Sequence, residues 1–443
     1  MTARLSRSTC LDAVAEAGTG IVHLGLGAFH RAHQAVFTQE AMLAEPGDWA
    51  ICAVGQRSPV VRDALAAQDC LFTVTERDAT HDNVRVVGSV RAVLLAAEQP
   101  DRLTEVLADP GVRIVTITVT EAGYRHDPAT GRLRAGDPEV AADLAGRPPR
   151  TVTGQLVRGL RARREHGAAG LTVLSCDNLP DNGPLVAGLL RDFCALSGQA
   201  ALAEWITEHV RCPASVVDQI VPATTSADVD RVTSRLGLVD RGAVVGETYR
   251  QWVIEDDFAA GHPAWDKVGV RLVADIAPHQ AAKLRLVNGT HSALAYLGLL
   301  AGCRSTAEAV GRPEFAQYAD RLIRAETGAS LARFGQSATD PGALSHRLAN
   351  PRITHRLEQI AADGLRKLPQ RLLDPAAELL EAGTEPRMIC IALAGFLRYQ
   401  GETVESLLKA GPALRAFPVF QELLADAVRR IDRDGVLATL RSC

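Results

Sequence analysis

The first 178 residues alternate apolar runs with segments of helical periodicity. The runs are rich in Val, Ile, Leu and Thr, and each ends in a turn signal or a polar cluster, as buried strands do. They are GIVHLGLG (20–27), WAICAVG (49–55), VRIVTITVT (112–120) and GLTVLSCDN (170–178). Helical spacing and helix termini occur between them, at residues 31–45, 59–68, 100–109 and 153–167. This alternation predicts an α/β fold with a parallel sheet covered by helices on both faces.

The pattern changes near residue 276. Helical segments then follow one another without a convincing strand, at residues 281–301, 314–326, 353–366, 371–382, 386–400 and 418–432. A chain of 443 residues also exceeds the usual size of a single core. We therefore predict a sheet domain over residues 1–275 and a mainly α-helical domain over 276–443. The Pro-, Gly- and charge-rich stretch 125–150 is interpreted as a surface excursion on the sheet domain.

Charge and cysteine content argue against several classes of protein. The net charge is −4 with both signs interspersed, so no surface for nucleic acid or for an anionic membrane is predicted. The basic run RGLRARREH (158–166) fits the solvated face of a helix. Nine cysteines occur singly, without a CxxC pair, which indicates reduced thiols in the cytoplasm. No signal peptide and no apolar run of transmembrane length is visible.

The residues after the first predicted strand are typical of a dinucleotide-binding turn. In GLGAFHRAH (25–33), two glycines allow a tight turn and close backbone approach, and a helix beginning near Phe29 would direct its N–H groups at a pyrophosphate. His30 occupies the position of the third glycine of the fingerprint, and a simple strand-to-helix turn remains the alternative. The predicted cofactor contacts in this Rossmann-like domain are Gly25, Gly27, Ala28, Phe29 and His30.

Two further features bear on the ligand of this domain. His23, His30 and His33 could suggest a metal, but no carboxylate or thiolate completes a ligand set, so no metal is predicted. The end of the second predicted strand, AVGQRSP (53–59), lacks the acid that binds the ribose 2′-hydroxyl of NAD. Arg57 could instead hold the 2′-phosphate of NADP, so these residues leave the choice between NAD and NADP open.

Polar residues also follow the other two predicted strands. Thr120, in TEAGY, is a candidate cofactor contact. Asp177 and Asn178, in CDNLPDNG, could form an Asx turn without any ligand. The alternative is that the Asn178 amide faces the ligand crevice, with Asp177 as a candidate substrate-binding residue.

Lys283 is unusual, because the 48 Lys and Arg residues include only four lysines. In KLRLVNGTH (283–291), an α-helix would place His291 about 80° and Asn288 about 140° around from Lys283, on one broad polar face. A desolvated lysine can act as a general base, whereas an arginine cannot lose its proton in a protein. The alternative is a lysine that snorkels beside satisfied polar residues of the core.

Oxidation of a secondary alcohol by hydride transfer needs a base, donors for the developing alkoxide and a nicotinamide. Lys283 with Asn178, Asn288 and His291 meets the first two needs without a metal. Because these residues come from both predicted domains, we expect domain closure to assemble the site and residues 276–443 to bind the substrate. Two alternatives from other classes are a catalytically silent, redox-sensing dinucleotide-binding protein and a zinc enzyme, for which no ligand cluster is present.

These residues resemble the mannitol dehydrogenase family, the polyol-specific long-chain dehydrogenases, whose signature is Lys-x4-Asn-x2-His. The similarity covers nearly the whole chain, in the motifs GLGAFHRAHQAV (25–36), RSPVVRDALAAQDCLFTVTERD (57–78), TVTEAGY (118–124), SCDNLPDNG (175–183), VVDQIVPATT (216–225), ETYRQWVIEDDFAAGHP (247–263), KLRLVNGTHSALAYLGLLAG (283–302) and DGLRKLPQR (363–371). The RSP, CDNLPDNG and Lys283 segments are most similar to the fructuronate reductase, or mannonate dehydrogenase, branch.

The resemblance implies NAD as cofactor and a keto-sugar interconverted with a sugar alcohol or aldonate, of the fructose/mannitol or fructuronate/mannonate type. It implies Lys283 as the general base, Asn178 and Asn288 as oxyanion donors, His291 as a substrate-positioning residue and Asp218 as a further polar group. We expect a small-molecule sugar alcohol or sugar acid as partner, and a monomer or small homo-oligomer.

The sequence departs from the family pattern at three positions. Ala122 stands where the family usually has a lysine, and Gln219 stands where it usually has an arginine. His262 stands at the middle position of a segment that is commonly Gly-Arg-Pro in the family. Two cations are therefore missing near the expected sugar site. Their absence makes a neutral polyol, or an unusual sugar acid, more credible than the branch alone implies.

Overall fold

The computed structural model describes residues 3–10, 16–335, 341–353, 355–362 and 364–443 of the chain. The chain divides into two compact units, one of residues 1–77 and 82–276 and one of residues 78–81 and 277–443. Within the described ranges, none of the helices combines the length and the apolar character that crossing a membrane requires.

The first unit is built on a sheet of five parallel strands, labelled β1 to β5 in chain order. They are Thr19–Leu24, Ala50–Gly55, Val90–Leu95, Ile114–Ile117 and Thr172–Ser175. Their spatial order is β3-β2-β1-β4-β5, and every neighbouring pair is parallel. The predicted α/β fold with a parallel sheet is confirmed. Because the order reverses between β1 and β4, the ligand crevice of such a sheet lies outside the carboxyl ends of these two strands.

Side chains of β1 alternate between the two faces of the sheet. Val22 and Leu24 belong to one apolar cluster and Ile21 to another, and each cluster includes residues of the flanking helices. Both faces are therefore covered, as predicted. The α-helices of this unit are Ala28–Ala32, Gln34–Ala44, Val60–Ala66, Pro100–Ala108, Pro138–Leu144, Val152–Glu165, Asn182–Leu196, Ala200–His209 and Ser226–Leu236, and its 3₁₀ turns are Glu121–Tyr124 and Asp266–Val268.

Three smaller sheets complete the first unit, and the sequence patterns did not predict them. In the first, the central strand Phe72–Arg77 pairs with Val244–Glu247 and with Asp82–Val87. In the second, the central strand Gln251–Glu255 pairs with Arg271–Val273 and with Ser215–Asp218. The third consists of Ala3–Arg4 and Leu238–Val239. Both three-stranded sheets contain an antiparallel pair. Strand β3 was missed as well, because periodicity alone does not distinguish a short apolar run of a strand from a buried helical segment.

The stretch 125–150 is more than the predicted surface excursion. His126 pairs with Leu133 in an antiparallel bridge, and Pro138–Leu144 forms a helix. The side chains of Leu133 and Val140 are buried in the core of the unit. The many Pro, Gly and charged residues around these two apolar anchors concealed them in the sequence.

In the described residues of the second unit, the regular secondary structure is helical, apart from an isolated bridge between Ser305 and Arg356. Its α-helices are Ala277–Ala282, Gly289–Leu300, Thr306–Val310, Pro313–Arg321, Pro341–Leu348, Leu357–Ala361, Gly364–Leu368, Asp374–Glu381, Arg387–Gln400, Val404–Ala410 and Pro418–Arg441. Its π-helices are Lys283–Asn288, Leu322–Thr327 and Pro369–Leu373, and its 3₁₀ turns are Ala329–Phe334 and Pro412–Ala416. The predicted helical character of this region is confirmed. Thr354 and Asp363, in the predicted helix 353–366, lie outside the described residues.

Candidate active site

Two glycines with different tasks shape the turn after β1. Gly25 has a φ of +115°, and a Cβ on it would lie 1.9 Å from the carbonyl oxygen of Thr118, so only glycine is compatible with the adjacent end of β4. Gly27 has an ordinary φ of −95°, and a Cβ on it would meet only the Gly25 oxygen, 3.8 Å away. The described residues therefore do not require a glycine at position 27. Its missing side chain leaves space for a ligand to approach the backbone, as a pyrophosphate does in dinucleotide-binding turns.

The helix after this turn begins at Ala28 and is short. His33, with φ −116° and ψ −86°, separates it from the helix Gln34–Ala44. Ala28 and Phe29 are partly exposed, whereas the side chain of His30 is fully buried. Of the predicted cofactor contacts in the turn, His30 thus directs its ring into the protein.

The histidines near the turn belong to the interior of the unit. The Nδ1 atom of His23 lies 2.8 Å from Thr116 Oγ1, and its Nε2 atom lies 2.8 Å from the Gly25 oxygen. The His30 ring stacks on the His23 ring with 3.4 Å between centroids. Burial lowers the pKa of His23 to about 3 and the pKa of His30 well below its ordinary value, so both rings are neutral at pH 7. Among the described residues, no group of three potential ligands is arranged to hold a metal ion.

Arg57, which follows β2, is paired with an acid from a distant part of the chain. Its Nη2 atom donates to both carboxylate oxygens of Glu139, at 2.8 and 2.9 Å, and Glu139 also pairs with Arg125. The Arg57 side chain is 67% exposed, so the pair contributes little to stability. The pair matters for the local charge, because Glu139 places a carboxylate near the end of β2. The residues that directly follow β2 in the chain include no acid.

Asp177 joins the ends of β4 and β5. Its carboxylate accepts hydrogen bonds from the backbone N–H groups of Val119 and Thr120, at 2.9 and 3.0 Å, and from the Tyr124 hydroxyl at 2.7 Å. Burial raises the pKa of Asp177, and these three donors act in the opposite direction. The carboxylate reaches across to β4 instead of forming the Asx turn considered above. Asn178, the next residue, is exposed.

Thr120 has the backbone conformation that most clearly marks this edge of the sheet. Its φ is +66° with ψ 163°, which is rare for a threonine and costs free energy unless the surroundings impose it. The hydrogen bond from its N–H to Asp177 is one such constraint. Strained residues of this kind are concentrated at ligand sites, and Thr120 is exposed at the carboxyl end of β4.

Asn182, which the sequence interpretation missed, connects β5 with the strand that ends in Asp218. Its Nδ2 atom donates to the carbonyl oxygens of Asp177 and Ser215, at 3.1 and 2.9 Å, and its Oδ1 atom accepts from the Ser215 N–H at 2.9 Å. Asp218 is buried, with 8% of its surface exposed. The two asparagines of CDNLPDNG thus differ, since Asn178 is exposed and Asn182 satisfies buried backbone groups. Both are polar residues after a strand, so the sequence offered no signal to separate them.

The segment Lys283–Asn288 is a π-helix that lies between the α-helices Ala277–Ala282 and Gly289–Leu300. The α-helical angle predicted for Asn288 is therefore wrong. Hydrogen bonds of a π-helix join residues five apart, so the turn is wider and residue 288 lies closer around the helix axis to residue 283 than an α-helix would place it. Lys283 and Asn288 are partly buried, and His291 is buried with 7% of its surface exposed.

Three contacts surround this polar segment. Arg285 is buried and donates to Glu378 Oε1 at 2.8 Å, which fixes the π-helix to a neighbouring helix. The His291 ring meets the His355 ring edge-to-face, with 5.0 Å between centroids. Arg371, from the π-helix Pro369–Leu373, donates from Nη1 to Ser292 Oγ at 3.0 Å, next to His291 in the chain.

The positions that depart from the family pattern lie in different surroundings. Gln219 is buried, and its Nε2 atom donates to the carbonyl oxygen of Glu247 at 3.0 Å. Ala122 is exposed in the 3₁₀ turn after β4. The His262 ring lies 2.7 Å from the carbonyl oxygen of Pro263. Gln219 thus joins the ends of two strands through this hydrogen bond.

Two family models match the chain in order along its length. The mannitol dehydrogenase Rossmann domain matches residues 19–267, and the mannitol dehydrogenase C-terminal domain matches residues 275–416. The chain belongs to the mannitol dehydrogenase family. The resemblance found in its sequence motifs is confirmed.

Members of the mannitol dehydrogenase family with related sequences and structures agree with this assignment. The D-mannonate oxidoreductase of Escherichia coli strain K12 is 40% identical over 388 residues, which cover 86% of this chain and 79% of that protein. The ternary complex of Pseudomonas fluorescens mannitol 2-dehydrogenase with NAD and D-mannitol aligns with a TM-score of 0.85 and 33% identity over 99% of both chains. A substrate-free D-sorbitol dehydrogenase aligns with a TM-score of 0.87 and 28% identity over 96% of this chain and 95% of that one.

Proposed function

We propose that the chain is an NAD-dependent oxidoreductase that interconverts a secondary alcohol of a sugar alcohol or aldonate with its keto-sugar, without a metal. The observation that carries the proposal is the polar set Lys283, Asn288 and His291 on a π-helical turn and the helix that follows it. π-Helical turns occur frequently at functional sites. A silent dinucleotide-binding protein would have no use for a titratable amine in this position.

The turn after β1 and the end of β4 are proposed to bind the dinucleotide. The open space at Gly27 and the strained, exposed Thr120 both lie where the strand order of the sheet reverses. Gly25, Ala28 and Phe29 complete the proposed contacts, and the buried His30 supports the turn from inside the protein. NAD would supply the acceptor of the hydride.

The charges near the end of β2 favour NAD over NADP. Arg57 alone would attract a 2′-phosphate, but its guanidinium is already paired with Glu139. The Glu139 carboxylate would repel that phosphate and could accept a hydrogen bond from a ribose 2′-hydroxyl, as the acid of the usual fingerprint does. The Pseudomonas fluorescens relative was solved with NAD.

Each polar residue of the site is proposed to have one task. Lys283 takes the proton of the reacting hydroxyl group as general base. The side-chain amides of Asn178 and Asn288 donate hydrogen bonds to the substrate oxygen as negative charge develops on it. His291 positions the substrate, and Asp218 is a further polar group of the site. Asp177 holds the crevice in shape through Val119 and Thr120.

The cellular setting of the reaction is also a proposal. All nine cysteines are free thiols, which supports a reducing compartment and hence the cytoplasm. The family relatives named for mannitol, mannonate and sorbitol make both sugar alcohols and aldonates credible substrates. A monomer or small homo-oligomer remains the expected form.

The test is a dehydrogenase assay of the parent protein and Lys283→Ala. NAD reduction is followed at alkaline pH with mannitol, arabinitol, sorbitol, mannonate and altronate. We expect Lys283→Ala to bind NADH like the parent and to turn over at least about 100-fold more slowly, because a general base contributes about that much or more. Lys409→Ala, which removes an exposed lysine of the second unit, is the control and should keep the parent rate.

Two results would contradict the proposal in different ways. Equal rates for the parent and Lys283→Ala would show that the lysine is not the base. Tight NADH binding without oxidation of any substrate would favour the silent dinucleotide-binding protein.

A further inference from the structure

Arg371 carries a positive charge that the described residues do not balance. It is partly buried, and the bond from its Nη1 atom to Ser292 Oγ at 3.0 Å is the hydrogen bond that its guanidinium makes among these residues. A guanidinium has five N–H donors, so most of its capacity is unused. Burial lowers the pKa of Arg371, and the Tyr296 hydroxyl is the ionisable group that opposes this effect. No carboxylate of the described part of the chain does so.

The two acids that follow Arg371 most closely in the chain, Asp374 and Glu378, interact with other arginines. Glu378 Oε1 accepts hydrogen bonds from Arg285 at 2.8 Å and from Arg333 at 2.6 Å. Asp374 interacts electrostatically with this same cluster. A desolvated cation without an anion costs free energy, so such groups are normally paired. A bound anion would remove this cost at Arg371.

Arg371 lies close to the residues proposed for the chemistry. Its hydrogen-bond partner Ser292 follows His291 directly and is four residues, about one α-helical turn or ~5.4 Å, beyond Asn288. The two backbones are also in contact, since a Cβ on Gly289 would lie 3.0 Å from the Arg371 carbonyl oxygen. One helical turn is of the same order as the separation between the carboxylate of a six-carbon aldonate and a hydroxyl group near the other end of its chain.

We propose that Arg371 binds the carboxylate of the substrate, which makes a sugar acid such as D-mannonate the preferred substrate class over a neutral sugar alcohol. This inference rests on the proposed function, because it assumes that the alcohol is oxidised at Lys283, Asn288 and His291. The planar guanidinium can donate two parallel hydrogen bonds to a carboxylate, and D-mannitol has no anion to accept them.

The experiment compares D-mannonate and D-mannitol as substrates of the parent, Arg371→Gln and Arg371→Lys at saturating NAD. A charge-assisted pair contributes about 1.5–3 kcal/mol, so Arg371→Gln should lower the ratio of kcat/KM for mannonate to that for mannitol by about 10- to 150-fold, mainly through the KM for mannonate. Arg371→Lys keeps the positive charge but loses the two parallel donors of the guanidinium. Its substrate ratio should therefore lie between those of Arg371→Gln and the parent. Arg398→Gln, an exposed arginine paired with Asp432, is the control and should keep the parent ratio.

Two further measurements exclude a merely structural role. The KM of the parent for mannonate should rise with ionic strength, and that of Arg371→Gln should not. Calorimetry of the NADH complex should show mannonate binding that weakens in Arg371→Gln, which reports the site without turnover. If Arg371→Gln does not fold, Arg371→Lys alone should still lower the substrate ratio.

The outcomes separate this inference from the proposed function. Oxidation of mannitol but not of mannonate by the parent would overturn the inference and leave the proposed function intact. Equal losses for both substrates, or an unchanged KM for mannonate in Arg371→Gln, would also overturn it. Failure of the proposed function would appear as absence of any oxidation by the parent, and mannonate binding that depends on Arg371 would then still support the carboxylate site.

Discussion

At the scale of single residues, the charges around the end of β2 show how a distant acid changes the meaning of a local motif. Arg57 by itself suggests a phosphate-binding residue, and its partner Glu139 lies 82 positions later in the chain. Glu139 is held by Arg125 as well, so its carboxylate is positioned from two sides. The sequence left NAD and NADP equally open at Arg57, and the paired acid now favours NAD.

Glu139→Gln should therefore shift the cofactor preference towards NADP. Without the carboxylate, the Arg57 guanidinium is free to attract a 2′-phosphate, and the repulsion of that phosphate disappears. We expect the ratio of kcat/KM for NADP to that for NAD to rise about tenfold, which corresponds to about 1.4 kcal/mol. Steady-state kinetics with both cofactors measures it. Glu105→Gln, which removes an exposed acid of the first unit, should leave the ratio unchanged.

At the scale of elements, the turn after β1 combines a structural glycine with one that the described residues do not require. Gly25 approaches Thr118 so closely that the sheet itself excludes any side chain. The space in front of Gly27 is open, and its φ is available to all residues. Sequence comparison with the dinucleotide fingerprint treats both glycines alike, whereas the structure assigns them different roles.

A pair of substitutions in this turn tests that division. Gly25→Ala combines a positive φ with a clash against a backbone oxygen, so it should destabilise the protein severely or prevent folding. Gly27→Ala should keep the free energy of unfolding within about 1 kcal/mol of the parent value but weaken NADH binding at least tenfold. Urea unfolding and fluorescence titration with NADH measure the two effects. Unchanged NADH affinity in Gly27→Ala would mean that the dinucleotide binds elsewhere.

The π-helix Lys283–Asn288 is the second element whose geometry could not be inferred from the sequence. Apolar periodicity indicates a helix, but one extra residue in a turn changes the direction of the following side chains without leaving a recognisable pattern. The buried pair of Arg285 and Glu378 holds the segment against a helix that begins about ninety residues later. The direction of Asn288 relative to Lys283 was therefore not predictable from periodicity.

At the scale of the whole molecule, Glu326 connects stability with pH. Its carboxylate is buried at 4% exposure and accepts the backbone N–H groups of Met388 and Ile389, at 2.7 and 2.8 Å, where the helix Arg387–Gln400 begins. Burial raises the pKa of Glu326 to about 7. The folded state therefore binds this proton more tightly than the unfolded chain, in which the pKa is near its ordinary value of 4.5.

The contribution of Glu326 to stability should be present in full below pH 4.5 and lost as the pH rises through about 7. The difference of pKa corresponds to about 3 kcal/mol over that range. Glu326→Gln is neutral at every pH, so its unfolding free energy should fall less than that of the parent between pH 5 and 8. Urea unfolding at four pH values measures the difference. Glu381→Gln, an exposed acid, should retain the parent's pH dependence.

The fold was predictable where local pattern and tertiary role agree. Strands β1, β2, β4 and β5 are buried on both faces, so their apolar runs are continuous, and the helices between them show regular periodicity. The small sheets escaped prediction because several of their strands pair with strands remote in the chain, as Phe72–Arg77 does with Val244–Glu247. Local sequence carries no record of such a partner.

For this protein, the sequence alone determined the order of an α/β region followed by a helical region, and it predicted a dinucleotide turn and a polar set at Lys283, because each is a local arrangement of residue types. Only the tertiary structure decided that Glu139 pairs with Arg57, that Asp177 shapes the end of β4, and that Arg371 lies beside Ser292 with no acid paired to it among the described residues. Charge compensation acts through space, so its presence or absence becomes visible only when distant segments are folded together.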